Sequence, residues 1–368
     1  MRHLKRYNQL FESQQELTQE QSEWLDECTE GTWKVNPQTG LVDVKGNFNC
    51  QRQGLTDFKG LGFGHVSGDF DCYKNSLTSL EGAPQIVDGF FNCSHNELKS
   101  LEGLPDGFKV IRNFRCSDNE LESLEGLPDG FKVGGDFYCS RNKLKSLEGL
   151  PDGFSVGGGF YCSYNELKSL EGLPDGFKVG EGFYCSYNEL KSLEGLPDGF
   201  RVGFSFDCSN NELESLEGLP DGIKVGVGFY CSNNKLKSLK GLPDGFSVRT
   251  DFKCSKNNLT SLEGLPVGFK VGVSFDCSYN ELRSLKGLPD GFRVGGYFDC
   301  SDNPISERAI NGVLKRMGDN NISLEQAVAE YWKWIPQEDR AYLAKHRPSL
   351  PEKEKRIYRA MELNMRRR

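Results

Sequence analysis

Apolar residues recur along this chain at a fixed interval, and polar residues fill the positions between them. Cysteines mark the interval most clearly, because every gap between successive cysteines from Cys93 to Cys300 is 23 residues. The two gaps that precede Cys93, from Cys50 to Cys72 and from Cys72 onward, are 22 and 21 residues. A period of this length predicts a stack of structural repeats, so the repeat must be assigned before any single motif.

One repeat, from Phe137 to Gly159, shows what each coil predicts. Phe137 and Cys139 alternate with polar residues, which places both side chains on one side of a short strand. Asn142 follows, and its amide can bond backbone groups that a tight bend leaves unpaired. Three leucines then carry the apolar layer round the bend, a Pro-Asp-Gly turn reverses the chain, and two apolar residues fill the far side. These residues are Leu144, Leu147, Leu150, Pro151, Asp152, Gly153, Phe154 and Val156.

The repeat fills most of the chain. Eleven coils run from Phe48 to about Tyr297, and a twelfth begins at Phe298. A single coil cannot bury its own apolar face, so stability must come from the stacking of neighbouring coils. We therefore expect a parallel β-sheet with strands about 4.8 Å apart and a core shaped as a column. This architecture accounts for a hydrophobic content of only 36% without invoking disorder.

The residue pattern that recurs in each coil resembles that of a known repeat family. F-x-C-x-x-N-x-L overlays the leucine-rich-repeat pattern L-x-L-x-x-N-x-L position for position over residues 48–303, with Phe and Cys replacing the two strand leucines. The S-L-E-G-L-P segments, and the leader from Leu17 to Asn49 with G-T-W-x-V-N-P-x-T-G-L-V-D-V, are similar to repeat proteins of tailed-bacteriophage and bacterial genomes. The resemblance implies an α/β repeat solenoid, a right-handed coil stack with a parallel β-sheet on the concave face, and binding of a partner, usually a protein.

The two ends depart from the repeat, and each predicts a helical cap over a terminal coil. In residues 1–47, Thr18 and Gln21 fit the capping box of a helix, and a hairpin-like segment follows from Val35 to Val44. Residues 304–368 change to helical patterning with 14 Lys and Arg against 9 Asp and Glu, which predicts a C-terminal helical cap or a small docking domain. The apolar face of the N-terminal helix is expected to comprise Leu17, Trp24, Leu25 and Cys28.

Thirteen cysteines would suggest a disulfide framework in a small secreted protein, but their spacing argues otherwise. Side chains of in-register neighbours on a parallel sheet lie side by side, which is a poor geometry for a bridge. The chain has no C-x-x-C pair that would indicate a zinc site. We predict reduced, buried thiols. Cys28 is the one cysteine outside this column, and it could be a catalytic thiol of the kind that some bacterial leucine-rich ligases carry. Its position on the apolar face of a helix favours a buried structural role.

Two columns of residues flank the strand Phe and Cys, and we expect both to point outward on the concave face. One column lies between Phe and Cys, and the other lies two residues after Cys. Together they concentrate tyrosines on coils 5 to 7, and clustered exposed tyrosine is typical of protein interfaces. The alternative is that aligned tyrosines stack and stiffen the sheet, and both can hold. The predicted partner-binding residues are Tyr138, Arg141, Tyr161, Tyr164, Tyr184, Tyr187 and Tyr230.

Catalytic chemistry has little support in the sequence. The four histidines have no spaced partner that suggests a triad or a zinc site, and the glycine runs follow repeats and not a phosphate-binding loop. We predict no catalytic residue, no metal and no cofactor. The net charge of -8, and the mixing of basic and acidic residues near the C-terminus, do not predict nucleic-acid binding.

No stretch of eighteen apolar residues predicts a membrane helix, and the polar, basic N-terminus does not predict a signal peptide. The expected location is therefore the cytoplasm. If a phage encodes the chain, the expected location is the host cytoplasm or the virion. We expect a non-catalytic protein-interaction scaffold that binds a partner on the concave face. The alternative is a structural or host-contact component of a phage particle or another large assembly, with self-assembly or particle association. The sequence does not name the partner or the oligomeric state.

Overall fold

The computed structural model describes residues 17–305. The helices predicted in the C-terminal segment begin at residue 306 and lie outside the described residues. The chain divides into two compact units, Met1–Val202 and Gly203–Arg368, and each is described by itself. Both units are repeat solenoids in which stacked coils pair through parallel strands.

Helix α1, Gln19–Cys28, begins with the predicted capping box. The Thr18 hydroxyl oxygen accepts a hydrogen bond from the backbone N–H of Gln21 at 3.1 Å, and the Gln21 side chain accepts one from the N–H of Thr18 at 3.0 Å. Two of the backbone donors that a helix start leaves unpaired are thereby satisfied. The buried face of α1 comprises Trp24, Leu25 and Cys28.

Helix α1 packs against the first coil through Trp24. The indole ring meets the ring of Phe48 edge-on with centroids 5.3 Å apart, and its N–H donates to Gln53 at 2.7 Å. Gln53 also donates to the sulfur of Cys28 at 3.4 Å, and Cys28 is only 2% exposed. Cys28 is therefore buried, as the apolar helix face predicted.

The hairpin that follows α1 also agrees with the sequence. Strand β1, Thr29–Val35, pairs antiparallel with β2, Val42–Asn49, and the intervening residues form the turn. The C-terminal end of β2 is the first strand of the coil stack, because Phe48 pairs in parallel register with Phe70. The hairpin thus joins the leader directly to the repeats.

In the first unit each later coil contributes one short strand to each of two parallel ladders. We call the ladder with the strand phenylalanines the first ladder; beyond β2 it comprises Phe70–Asp71, Phe91–Asn92, Phe114–Arg115, Phe137–Tyr138, Phe160–Tyr161 and Phe183–Tyr184. The second ladder comprises Phe63–Val66, Ile86–Val87, Lys109–Val110, Lys132–Val133, Ser155–Val156, Lys178–Val179 and Arg201–Val202. The sequence predicted only the first ladder and assigned the apolar residues of the second ladder to the far side of each coil.

The second unit repeats this arrangement. Its first ladder comprises Phe206–Asp207, Phe229–Tyr230, Asp251–Lys253, Ser274–Asp276 and Tyr297–Asp299. Its second ladder comprises Lys224–Val225, Lys270–Val271 and Arg293–Val294, with Val248 bridging in parallel to Val271.

The core is a column of stacked aromatic rings, shown in the first unit by coils 4 and 5. Phe114 and Phe137 stack with centroids 5.3 Å apart and planes 9° from parallel. Phe154, from the far side of the coil, meets Phe137 edge-on at 5.4 Å. Offset-stacked and edge-on contacts are both favourable for aromatic rings; the first joins coil 5 to coil 4, and the second packs the far side of coil 5 against its own strand. The leucines of the bend complete the layer, and Leu144 and Leu147 are fully buried.

Candidate functional site

Three tyrosines of the first ladder form a continuous stack on coils 5 to 7. The ring of Tyr161 lies 4.5 Å from that of Tyr138 and 4.7 Å from that of Tyr184, and both pairs are within 12° of parallel. Each tyrosine is half-buried. Because the rings stack along the direction of coil repetition, the stack turns ring edges and not ring faces toward solvent.

Glycines provide the surface on which these rings lie. A Cβ atom on Gly159 would come within 2.7 Å of the Tyr161 ring, and one on Gly182 would collide with the ring of Tyr184. The absence of a side chain two residues before the tyrosine lets the ring fold over the backbone, which explains its partial burial.

Tyr138 has Asp136 in place of that glycine. Its hydroxyl donates a hydrogen bond to a carboxylate oxygen of Asp136 at 2.8 Å. Burial raises the pKa of the Tyr138 phenol, and the negative charge of Asp136 raises it further. Tyr138 therefore stays neutral and keeps Asp136 engaged.

A second stack comes from the column two residues after cysteine. The rings of Tyr164 and Tyr187 are 4.3 Å apart and 6° from parallel, and the Arg141 guanidinium lies 4.4 Å above the centroid of Tyr164. Tyr164 is 43% exposed and Tyr187 is 47% exposed. This column therefore presents aromatic surface to solvent more openly than the first stack does.

All three residues of the second stack adopt left-handed backbone, with φ of 56° at Arg141, 58° at Tyr164 and 55° at Tyr187. Side chains with a Cβ resist this conformation by about 1–2 kcal/mol, and glycine or asparagine adopts it more readily. The sequence analysis places these residues on the strand. In the structure they lie on a bend, and the asparagine that follows them holds this bend through its hydrogen bonds.

That next residue is a buried asparagine that ties neighbouring coils together. The Asn119 amide donates to the carbonyl oxygens of Cys93 and Cys116 at 3.0 and 3.1 Å. Its side-chain oxygen accepts the backbone N–H groups of Asn96 and Leu98 at 3.1 and 3.2 Å. One side chain thus satisfies four backbone groups at the bend, the role predicted for Asn142.

Strand phenylalanine, strand cysteine, inward asparagine and buried leucine now follow one another within each coil with a period of 23 residues. Each coil therefore has the residue pattern of a leucine-rich repeat. Phe and Cys replace the usual strand leucines, and the Asn ladder keeps its place at the bend.

No family model matches the chain, and no curated protein matches it. Comparison with solved structures finds similar proteins at low identity. YopM from Yersinia enterocolitica WA-314 has 20% identity, with 83% of this chain and 74% of that chain covered, at a TM-score of 0.44. YopM from Yersinia pestis, described as a leucine-rich effector protein, has 21% identity over 77% of this chain and 86% of its own, also at 0.44.

The leucine-rich-repeat domain of a Shigella effector has 25% identity, covering 48% of this chain and 74% of that chain, at a TM-score of 0.33.

Six of the seven predicted partner-binding residues lie in the two stacks of the first unit. Tyr230 lies in the second unit and is described by itself; its ring folds over Gly228, and the Lys253 ammonium is 5.6 Å from the ring centroid. The tyrosine rings stack, and two of them remain substantially exposed. The structure is therefore compatible with both interpretations, a stack that stiffens the sheet and a surface that binds a partner. The placement of these residues on a concave face, and their binding of a partner, stay predictions.

Sequence reasoning missed two contributors to the stacks. Arg115 precedes Tyr138 by one repeat in the same column, and its guanidinium lies 5.6 Å from the centroid of Tyr138 and 5.0 Å from that of Phe90. The glycines were detectable, because Gly159 and Gly182 each stand two residues before a tyrosine. Two of the four coils with aspartate in the tyrosine column carry serine there instead, at Ser205 and Ser274.

The cysteine column forms part of the core beneath the first ladder. Cys139 is fully buried, and its thiol donates to the carbonyl oxygen of Tyr161 at 3.4 Å. Burial raises the pKa of this thiol well above its ordinary value, and the neighbouring Cys116 raises it further. Such a thiol stays protonated at neutral pH, which removes the nucleophilic thiolate form.

Within residues 17–305, no three histidine, cysteine or acidic side chains are grouped closely enough to hold a metal ion. The same part of the chain contains one α-helix, α1, whose ten residues are too few to span a membrane.

Proposed function

We propose that this leucine-rich-repeat protein is a non-catalytic interaction scaffold that binds a protein partner through the two aromatic stacks of coils 5 to 7. We call this surface the tyrosine surface; it comprises Tyr138, Arg141, Tyr161, Tyr164, Tyr184 and Tyr187. In this proposal residues 1–47 and 304–368 close the ends of the 48–303 solenoid and do not take part in chemistry.

The observation that carries the proposal is the presence of Tyr164 and Tyr187 at left-handed backbone positions. Coils 8 and 9 have Asn210 and Asn233 at the equivalent position, where asparagine suits the backbone. Folding alone would favour asparagine or glycine at Tyr164 and Tyr187 as well. Tyr164 and Tyr187 differ from other left-handed residues at this position, such as Tyr279, because they stack on each other while each stays more than two-fifths exposed.

The composition of the surface supports a protein partner. Tyrosine buries a large area on binding while its hydroxyl still forms hydrogen bonds, and Tyr and Arg are the residues most often dominant in interfaces. The stacked rings are already fixed against one another, so binding would order few side chains. Preorganisation of this kind reduces the entropic cost of association.

The test is affinity capture with the full chain and with a Tyr164→Asn, Tyr187→Asn double variant, read by quantitative mass spectrometry. Asparagine keeps the backbone conformation, so the variant is expected to fold while losing the partner. A matched control is Tyr279→Asn, which makes the same change at another exposed, left-handed tyrosine in the second unit. Retention of the partner by the double variant would move the binding site elsewhere.

The alternative role, a component of a phage particle or other large assembly, gives a different outcome of the same work. A structural part should co-purify at fixed stoichiometry with particles, and this association should be insensitive to the tyrosine substitutions.

A further inference from the structure

The side chain of Arg115 lies at the head of the first tyrosine stack, held between two aromatic rings. Its guanidinium carbon is 5.0 Å from the centroid of Phe90 and 5.6 Å from that of Tyr138. Rings on either side hold a guanidinium by cation–π attraction and leave its N–H groups, which lie in its plane, free to point between them. Arg115 is half-buried, so this arrangement is partly screened from water.

Two carboxylates of the neighbouring coils already have hydrogen-bond partners. Asp136 accepts the Tyr138 hydroxyl through one oxygen and the Gly159 N–H through the other. Asp71 accepts the N–H of Tyr73 and the amide of Asn92 on one oxygen, and the Arg115 charge counters the rise that burial causes in the pKa of the Asp71 carboxyl.

Asp118 lies in the adjacent column and is also engaged. Its two oxygens are 3.5 Å from His95 and 4.0 Å from Arg141. Among residues 17–305, no carboxylate oxygen lies within ion-pairing distance of the Arg115 guanidinium, whereas Arg141 has Asp118.

We propose that Arg115 is the receptor for an aspartate or glutamate side chain of the partner, and that the partner lies as an extended segment along the first tyrosine stack. This inference rests on the proposed function of the tyrosine surface. A planar guanidinium binds a carboxylate through two parallel hydrogen bonds, which matches a fork that is already oriented and lacks its anion.

The dimensions fit a short extended segment. Three coil steps separate Arg115 from Tyr184, which is roughly 14 Å at about 4.8 Å per step. An extended chain rises about 3.3 Å per residue, so about five residues cover this distance. A polyanion such as a nucleic acid fits less well, because the chain is acidic overall, at -8, and the site holds one unpaired cation and not a row of them.

The experiment is selection of displayed, random ten-residue segments, fused at both ends so that no terminal carboxylate is present. The baits are the full natural chain, Arg115→Gln, Arg115→Lys and Arg112→Gln. Arg112 is exposed and lies three residues before Arg115, so its substitution is the matched loss of one arginine. Thermal unfolding of each bait verifies that it is folded.

The natural chain and Arg112→Gln are expected to enrich segments with Asp or Glu at one fixed position. Arg115→Gln should lose that preference, and Arg115→Lys should keep it in weakened form. For one enriched segment, replacing its acid by the matching amide should weaken binding to the natural chain about 10-fold to 100-fold. The same replacement should leave binding to Arg115→Gln unchanged.

An acidic preference that persists on Arg115→Gln, or enriched segments that carry no acid, would overturn the inference. The Tyr164→Asn, Tyr187→Asn bait then separates the two claims, because segments that still depend on these tyrosines leave the proposed function standing. If the natural chain enriches nothing, both the anion receptor and the tyrosine surface are wrong.

Discussion

The rings of Tyr164 and Tyr187 stack at 4.3 Å although both residues hold left-handed backbone, with φ of 58° and 55°. A left-handed conformation costs a residue with a Cβ about 1–2 kcal/mol, and an aromatic pair returns about 0.5–1.5 kcal/mol. Two residues bear the cost and only one ring pair offsets it, so the stack does not stabilise the fold. Its exposure on the surface then becomes the property that distinguishes these coils.

Substitutions at Tyr164 test this balance. We expect Tyr164→Asn to change the free energy of unfolding by less than about 1 kcal/mol, because the lost stacking is offset by relief of the backbone. Tyr164→Val should be less stable than Tyr164→Asn by about 1–2 kcal/mol, since a β-branched side chain resists positive φ. Urea unfolding measures both, and equal stability of the two variants would contradict the strain argument.

The glycine beneath Tyr161 offers a second test. Gly159→Ala should displace the ring, because the new Cβ would lie 2.7 Å from it while Tyr138 and Tyr184 hold its two faces. We expect a changed near-ultraviolet circular dichroism signal from tyrosine and weaker partner binding. Ser274→Ala, at the equivalent position of a coil that has aspartate in the tyrosine column, should alter neither.

The inward asparagines are predicted to stabilise the fold most per residue among polar side chains. Asn119→Ala leaves the N–H groups of Asn96 and Leu98 without their acceptor, at about 1–3 kcal/mol for each group that water does not reach. It also removes one of the two asparagine donors from the carbonyl groups of Cys93 and Cys116. We expect a loss on the order of 4 kcal/mol in urea unfolding. Glu120→Ala, which removes an exposed ion pair of 3.3 Å with Lys143, should cost under about 1 kcal/mol.

The buried thiols predict sensitivity to alkaline pH. Burial raises the pKa of Cys116, Cys139 and Cys162 in the folded chain, whereas the pKa of a cysteine in the unfolded chain is about 8.5. Below that pH both states keep the proton, and above it only the unfolded state releases it, so stability falls as pH rises. The slope is about 1.4 kcal/mol per pH unit for each such thiol.

Urea midpoints between pH 7.5 and 10 measure this effect. Cys139→Ala should show a slope shallower by one thiol than that of the natural chain. A midpoint that does not change across this range would show that the thiols are not shielded as the structure indicates.

Thiol counting tests the oxidation state directly. The denatured protein, without reductant, is expected to show all 13 thiols free. The native protein should react slowly with iodoacetamide at neutral pH, and this includes Cys28, which is 2% exposed. A markedly lower count would indicate disulfides, and rapid labelling of Cys28 would contradict its burial.

The 23-residue period sufficed to predict the stack and the inward Phe, Cys, Asn and Leu positions, because these follow from local chemistry that every coil repeats. The N-terminal capping box and the hairpin were predicted from local signals outside the repeats. The period also aligned Tyr138, Tyr161 and Tyr184 in one column, because residues one repeat apart occupy equivalent places on neighbouring strands.

What the sequence could not supply was backbone conformation and side-chain direction. Alternation along the strand suggested that Tyr164 is extended, but the hydrogen bonds of the following asparagine bend the chain there. The position of Arg115 between Phe90 and Tyr138 depends on a contact across coils and on the path of one flexible side chain. Neither leaves a periodic signal.

The asparagine ladder has a consequence for how such a protein changes over time. Within each unit every coil offers its neighbour the same carbonyl and N–H groups, so excision or duplication of one complete coil restores equivalent partners at the junction. Recombination between near-identical gene segments can therefore lengthen or shorten the tyrosine surface by whole coils without creating a new folding problem. Specificity toward a longer or shorter partner becomes a matter of copy number.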